Sequence, residues 1–146
     1  IKDPNLIKMI AKKFGSQCVT ISIEAKKRNI SWEALYNNGR EKSGLDVFDW
    51  AKKAESLGAG EILITSVDKD GTQKGFDLDL IEKFYKQIKI PIIVSGGFGE
   101  ISHLNDLFDR CDPDAVAIAS AFHYKKSTIN DIREFCIKKK KMVREI

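Results

Sequence analysis

Apolar residues along this chain arrive in two rhythms. One returns every three or four positions, as in Leu6, Ile7, Ile10, Ala11 and Phe14, the spacing of a helix with one buried face. The other comes as short unbroken runs, such as Ile62-Leu63-Ile64 and Ile92-Ile93-Val94, which suit buried strands. In order, they predict a helix from Pro4 to Phe14, with Asp3 as N-cap, Pro4 as first helical residue and Gly15 as stop. A strand follows over Val19–Glu24, then a polar, aromatic-bearing segment over Lys26–Gly44. Within it, residues 32–37 can form a small hairpin with the turn Asn38-Gly39. Next come a helix over Asp46–Leu57 closed by Gly58, a strand over Glu61–Ser66, and a helix over Asp77–Ile88. A strand over Ile90–Ser95, a shorter helix over Ser102–Asp109, a strand over Asp114–Ala119 and a last helix from about Thr128 to Lys140 complete the pattern.

A leading helix followed by four βα repeats, with strand runs that lack polar alternation, predicts parallel strands covered by helices. The fold is therefore α/β, and it is either an open doubly wound sheet or a barrel. Pattern alone does not choose between them.

Composition narrows the function classes. Hydrophobic residues make up 42% and charged residues 32% of the 146, as in an ordinary globular domain. No run approaches a membrane span, and the first residues do not read as a signal peptide. The net charge of +4 sits in residues 133–146, which hold six basic and two acidic residues, leaving nineteen of each sign in residues 1–132. That tail reads as a solvated helix end, suited to a helix C-terminus, and no nucleic-acid stripe is expected. Cys18, Cys111 and Cys136 are odd in number and widely spaced, with no metal-ligand spacing to His103 or His123. We expect no disulfide, no metal, three buried or half-buried thiols and a reducing cytoplasm. Trp32, Phe48 and Trp50 are expected as core or loop anchors.

Candidate chemistry gathers just after the strands. Thr65-Ser66-Val67-Asp68-Lys69-Asp70-Gly71-Thr72, Ser95-Gly96-Gly97-Phe98-Gly99 and Ala119-Ser120-Ala121-Phe122-His123 each follow a strand, and in a barrel such loops share the C-terminal rim that carries active sites. Glycines let backbone N–H groups approach an anion, and the start of a following short helix favours it. Gly71, Gly97 and the Ala119-Ser120 pair could thus cradle one phosphate. On the plainer reading, Gly96, Gly97 and Gly99 merely turn the chain.

The block Gly58-Ala59-Gly60-Glu61-Ile62-Leu63-Ile64-Thr65-Ser66-Val67-Asp68-Lys69-Asp70-Gly71-Thr72, with Gly75-Phe76-Asp77, resembles the cyclase subunit of imidazole glycerol phosphate synthase. So do Phe14-Gly15-Ser16-Gln17, Ser95-Gly96-Gly97 and Ala119-Ser120-Ala121-Phe122-His123. The resemblance implies the C-terminal half of a (βα)8 TIM barrel, strands five to eight with their helices, with residues 1–146 forming a single partial domain. A full barrel takes about 250 residues. Together with the missing initiator Met, this makes a piece of a longer chain the expectation.

The implied activity is an ammonia-dependent lyase and cyclase of histidine biosynthesis. It converts a bisphosphorylated, ribulosyl-bearing aminoimidazole carboxamide nucleotide to imidazole glycerol phosphate, partnered by a glutaminase (glutamine amidotransferase) subunit and using no cofactor. Carried over by position, Gly71, Gly97, Ala119 and Ser120 form one phosphate site, with Thr65, Asp70, Ser95 and Gly96 lining the same rim. Glu24 stands where the family has its second catalytic carboxylate, normally aspartate, and Glu61 matches a charged residue of the ammonia gate at the barrel bottom. A first catalytic aspartate and a second phosphate site are not in this chain. His123 is expected to hold the last loop and His103 is not expected to catalyse.

Two departures, Glu24 for aspartate and Asn38 for a small residue, keep alternatives open. One is a relative feeding ammonia to a surface-polysaccharide sugar. Another is a non-catalytic phosphate-binding half-barrel. For Glu24 the plain alternative is a strand-end carboxylate paired with Lys26 or Lys27, and for Glu61 a strand-start residue facing solvent. The isolated chain is expected to be inactive, because its strand edges are open.

Overall fold

The computed structural model describes residues 1–144. Six strands form one sheet in the order β3-β2-β1-β4-β5-β6. They are β1 (Thr20–Arg28), β2 (Ser31–Tyr36), β3 (Glu41–Asp46), β4 (Glu61–Ser66), β5 (Ile92–Ser95) and β6 (Ala115–Ala117). The helices are α1 (Asn5–Phe14), α2 (Val47–Ser56), α3 (Leu78–Gln87), α4 (Ile101–Arg110), α5 (Ser120–His123) and α6 (Ile129–Lys138). β1, β4, β5 and β6 are parallel, and β2 and β3 are an antiparallel hairpin on the β1 edge.

Burial along the strands decides between open sheet and barrel. In β4, Ile62, Ile64 and Ser66 are buried while Glu61, Leu63 and Thr65 are half-buried. Ile23 and Ala25 of β1 and Ile92 and Val94 of β5 continue the buried face. Ile62, Ile64, Leu80, Phe84, Leu104 and Leu107 belong to one core, so α3 and α4 cover that face. The opposite face, with Thr20, Ser22, Glu24, Thr65, Ser95 and Ala117, is only partly covered. The parallel strands follow chain order without reversal, whereas a doubly wound sheet reverses its order and buries both faces. Sequential parallel strands with helices on one face form half of a (βα)8 barrel.

This corrects the expectation that the strands lack polar alternation. Thr20-Ile21-Ser22-Ile23-Glu24-Ala25 alternates, because one face packs on helices and the other turns toward the barrel interior. Boundaries also move. β1 runs on to Arg28, since its last residues pair with β2, Lys27 opposite Trp32 and Arg28 opposite Ser31. α1 begins at Asn5 after a helical Pro4, and Asp3 Oδ1 accepts from the Asn5 amide at 3.1 Å. The hairpin is longer than expected, with residues 37–40 as its turn. Asn37 and Asn38 sit at φ 52° and 57°, a conformation asparagine tolerates better than most residues. Cys111 and Cys136 are buried, but Cys18 is exposed. Trp32, Phe48 and Trp50 are buried as expected. The basic tail is partly tethered, Lys139 to Asp109 at 3.6 Å and Lys141 to Asp112 at 2.5 Å. Glu145, counted in that tail, lies outside the described residues.

Two carboxylates tie the hairpin region to the barrel. Asp77 caps α3 through the Leu80 amide and also accepts from Trp32 Nε1 at 2.9 Å and Ser66 Oγ at 3.1 Å. Asp68, after β4, accepts from the Lys27 amide at 2.7 Å and pairs with Lys26 Nζ at 2.5 Å. Partial burial pushes the Asp68 pKa up, but the Lys26 and Lys27 bonds outweigh it and hold it below the usual carboxylate value.

Trp32→Phe keeps the ring packing but removes the Nε1–H donor, so it should cost about 1.5–3 kcal/mol in urea unfolding, the range for hydrogen bonds to charged groups. Asp68 has a lower pKa folded than unfolded, so its contribution is complete above the unfolded value near pH 4 and is lost as pH falls through the folded one. Protection of the Lys27 amide from hydrogen exchange, corrected for intrinsic rate, should therefore drop below about pH 4, and in Asp68→Asn that step should be absent.

Candidate active site

The residues singled out after the strands converge because the strands are in register. Glu24 pairs with Thr65, Thr65 with Ser95, and Ser95 with Ala117. This row lies on the partly open face at the C-terminal ends of four parallel strands. Glu24 and Ser95, two strands apart, are separated by roughly 10 Å of sheet. Ser22 Oγ donates to Glu24 Oε1 at 3.4 Å. The hairpin turn lies against the Glu24 stem, so that a Cβ on Gly39 would stand 3.6 Å from Glu24 Cβ and Cγ. Lys26 is occupied by Asp68, and the Lys27 ammonium stands over the Trp32 ring at 5.2 Å. Among the described residues Glu24 forms no ion pair, so the expected alternative pairing does not form.

Glu61 occupies the other end of the same face. It pairs in register with Thr20, whose hydroxyl donates to Glu61 Oε2 at 3.0 Å. Four residues of strand separate Glu61 from Thr65, roughly 13 Å. The two carboxylates thus mark the bottom and the rim of the face that turns inward.

The loops after β4 and β5 are zipped together by close backbone approach. The Gly75 amide donates to the Gly97 carbonyl at 2.9 Å. A Cβ on Gly97, at φ 104°, would collide with the Gly75 carbonyl oxygen, and one on Gly96, at φ 93°, would stand 2.9 Å from the Ser66 carbonyl oxygen. These glycines are required by packing and by positive φ, so the plain turning role expected for them is real. A second feature accompanies it. Gly96, Gly97 and Phe98 are buried, yet among the described residues their amides donate to no acceptor. Successive backbone N–H groups in a turn are able to meet an external acceptor, and buried amides are otherwise nearly always paired.

Gly71 differs. It sits at φ 70° with open space where a Cβ would project, and it and Asp70 are exposed. The Asp70 backbone lies 3.4 Å from a Cβ placed on Gly96, so the two loops border each other. Ser120 opens the short α5, with Ala119 as its N-cap at φ −124° and ψ −60°. The segment after α5 reaches back across the rim, with Lys126 Nζ donating to Gln73 Oε1. No group of three or more His, Cys, Asp or Glu among the described residues is placed to hold a metal ion, and no described helix is long and apolar enough to cross a membrane.

The family model described as "Histidine biosynthesis protein" matches residues 1–128. The chain belongs to this family. It is 49% identical over 147 aligned residues to the imidazole glycerol phosphate synthase subunit HisF of Prochlorococcus marinus (strain MIT 9515), covering 99% of this chain and 57% of that relative. The subunit of the same name from Clostridium botulinum (strain Okra / Type B1) is 45% identical, covering 92% and 54%. That from Lactococcus lactis subsp. lactis (strain IL1403) is 45% identical, covering 94% and 54%. The chain spans a little over half the length of the curated relatives it matches. Membership accounts for the half-barrel and for the β4 block on which the resemblance rested.

Sequence reasoning expected Trp32 as an anchor but missed its partner, the hub at Asp77, and missed the bonds that His103 Nδ1 accepts from the Gly99 and Glu100 amides. The last had a signal, since Glu100 and His103 hold N-cap and N3 spacing, but histidine replaces the Glu or Gln that completes the usual box.

The two kinds of glycine should separate experimentally. Gly97→Ala meets both positive φ and a backbone clash and should lower stability by ~3 kcal/mol or more. Gly71→Ala meets only the left-handed penalty and should cost about 1 kcal/mol. Thermal and urea melts of the two variants check this.

Proposed function

We propose that this chain supplies half of the barrel of an imidazole glycerol phosphate synthase cyclase, acting on a bisphosphorylated nucleotide with ammonia from a glutaminase partner. The observation that carries the reading is the pairing of a carboxylate with an anion-ready loop on one rim. Glu24 stands on β1, and two strands away the amides of Gly96, Gly97 and Phe98 lack acceptors among the described residues.

In this reading the substrate phosphate rests against Gly96, Gly97 and Ser120, with Gly71 and Asp70 bordering it and Thr65 and Ser95 on the floor. Anchoring a phosphate fixes the rest of a long substrate and lowers the entropic part of the barrier. Glu24 then moves protons as ammonia adds, the ribulosyl linkage breaks and the imidazole ring closes. Glu61, bonded to Thr20 at the opposite end, stands at the entry for ammonia. The family's first catalytic carboxylate and the second phosphate site that this chemistry needs fall to the part of the barrel outside this chain's span.

The test is cyclase turnover with ammonium salts, using the full-length gene product. The native protein should turn over, and Glu24→Gln should be slower by about 10²-fold or more, the usual share of a positioned acid or base. An inactive native protein that gains turnover on Glu24→Asp would overturn the reading, and would favour a barrel retuned to another ammonia acceptor such as a surface sugar.

A further inference from the structure

We propose that His103 is the positioning residue of the anion cradle, holding the Gly96–Gly99 loop through an unprotonated Nδ1. The proposal rests on the phosphate reading of that loop given above.

Nδ1 of His103 accepts the Gly99 amide at 3.1 Å and the Glu100 amide at 3.4 Å. These are the next two amides after the run at Gly96, Gly97 and Phe98 that meets no acceptor. The loop's donors are thus divided, two taken by the imidazole and three left for an external oxygen. The ring is half-buried. It meets Phe98 edge to face, with centroids 6.5 Å apart, and a Cβ on Gly75 would stand 3.5 Å from its Cδ2. Gly75 in turn donates its amide to the Gly97 carbonyl. One side chain therefore borders both loops that the Gly75–Gly97 bond joins.

The arrangement is a capping box with histidine as the N3 member. Glu or Gln, the usual residue, accepts at every ordinary pH. An imidazole accepts at Nδ1 only while neutral, with its proton on Nε2. Protonation turns Nδ1 into a donor facing two other donors, so the loop must let go. Two charged groups face the ring. Glu100 Oε1 lies 3.9 Å from Nε2 and is itself bonded to Ser102 Oγ, while Lys126 lines the same groove from the segment after α5. Gln73, Phe98 and Gly75 complete the surroundings without charge.

The experiment is a pH titration of the full-length protein by amide NMR, with sulfate binding measured alongside. Sulfate, unlike phosphate, keeps one charge state across the histidine range of about pH 5 to 8. The Gly97, Gly99 and Glu100 amides should shift with the same midpoint as the His103 ring, before any ligand is added. Sulfate should bind about five- to tenfold more weakly on the acid side of that midpoint, consistent with loss of two modest hydrogen bonds. His103→Asn, whose Oδ1 can stand where Nδ1 stands and does not titrate, should bind sulfate at both ends of the range without the step. His103→Phe should bind weakly throughout. Amides that ignore the ring titration, or sulfate affinity unchanged in His103→Phe, would overturn the assignment while leaving the cradle intact. Failure of the native protein and of His103→Asn to bind sulfate or phosphate at any pH would instead overturn the cradle itself, and the proposal with it.

Discussion

The carboxylate of Asp77 joins three segments that the chain keeps far apart. It closes the first turn of α3, receives Ser66 at the end of β4, and receives the indole N–H of Trp32, 45 residues earlier. Asp77 is only 8% exposed, and Ser66 and Trp32 are 3% and 2% exposed, so each donor would otherwise be buried and unsatisfied. Around this hub the aromatic rings follow in contact, Trp32 edge-on to Phe48 at 6.0 Å and Phe48 tilted on Phe84 at 5.2 Å. The hairpin is thereby tied to both helix and barrel strand, and the hairpin turn is what lies against Glu24.

The two ends of the parallel strands are built differently. At the N-terminal end of β5, Asp114 accepts the Ile92 amide and Tyr85 bonds both Asp114 and the Ile92 carbonyl. Burial there pushes the tyrosine pKa well above its ordinary value, so the phenol stays neutral and serves as a fixed link. These groups satisfy one another internally. At the C-terminal end the β5 loop leaves amides open, which is where a barrel of this kind meets its ligands. The division follows from the strand direction and needs no special residue beyond the glycines that let the two loops touch.

Much of this was legible in the sequence. Helical spacing and short apolar runs gave every long element to within a few residues, because those signals are local and strong. The β4 block and the Ser95-Gly96-Gly97 loop pointed to the rim. What escaped was long-range or small. No local signal marks Trp32 as a partner of Asp77, and β1 extends to Arg28 only because a hairpin pairs with it. The polar alternation of β1 was visible but outweighed by the apolar runs of β4 and β5. For the glycines, sequence could not show which contacts require them. In the structure, Gly96 and Gly97 combine positive φ with close backbone approach to Ser66 and Gly75, and among the described residues their amides meet no acceptor.

Glu24 is where local chemistry and the larger fold meet. A glutamate at this position places its oxygens on the order of 1 Å further from the strand than aspartate would, a shift that matters for the proposed role. The strand does not absorb that shift, since Glu24 stays in register with Thr65. The surroundings bear on it instead. Gly39 contributes no side chain where the turn crosses the Glu24 stem, and the carboxylate accepts a long hydrogen bond from Ser22. The turn that crosses this stem is held by asparagines in left-handed geometry and by the hairpin behind it. The reach of the carboxylate is therefore set jointly by its own extra methylene and by a turn whose position traces back to Trp32 and Asp77.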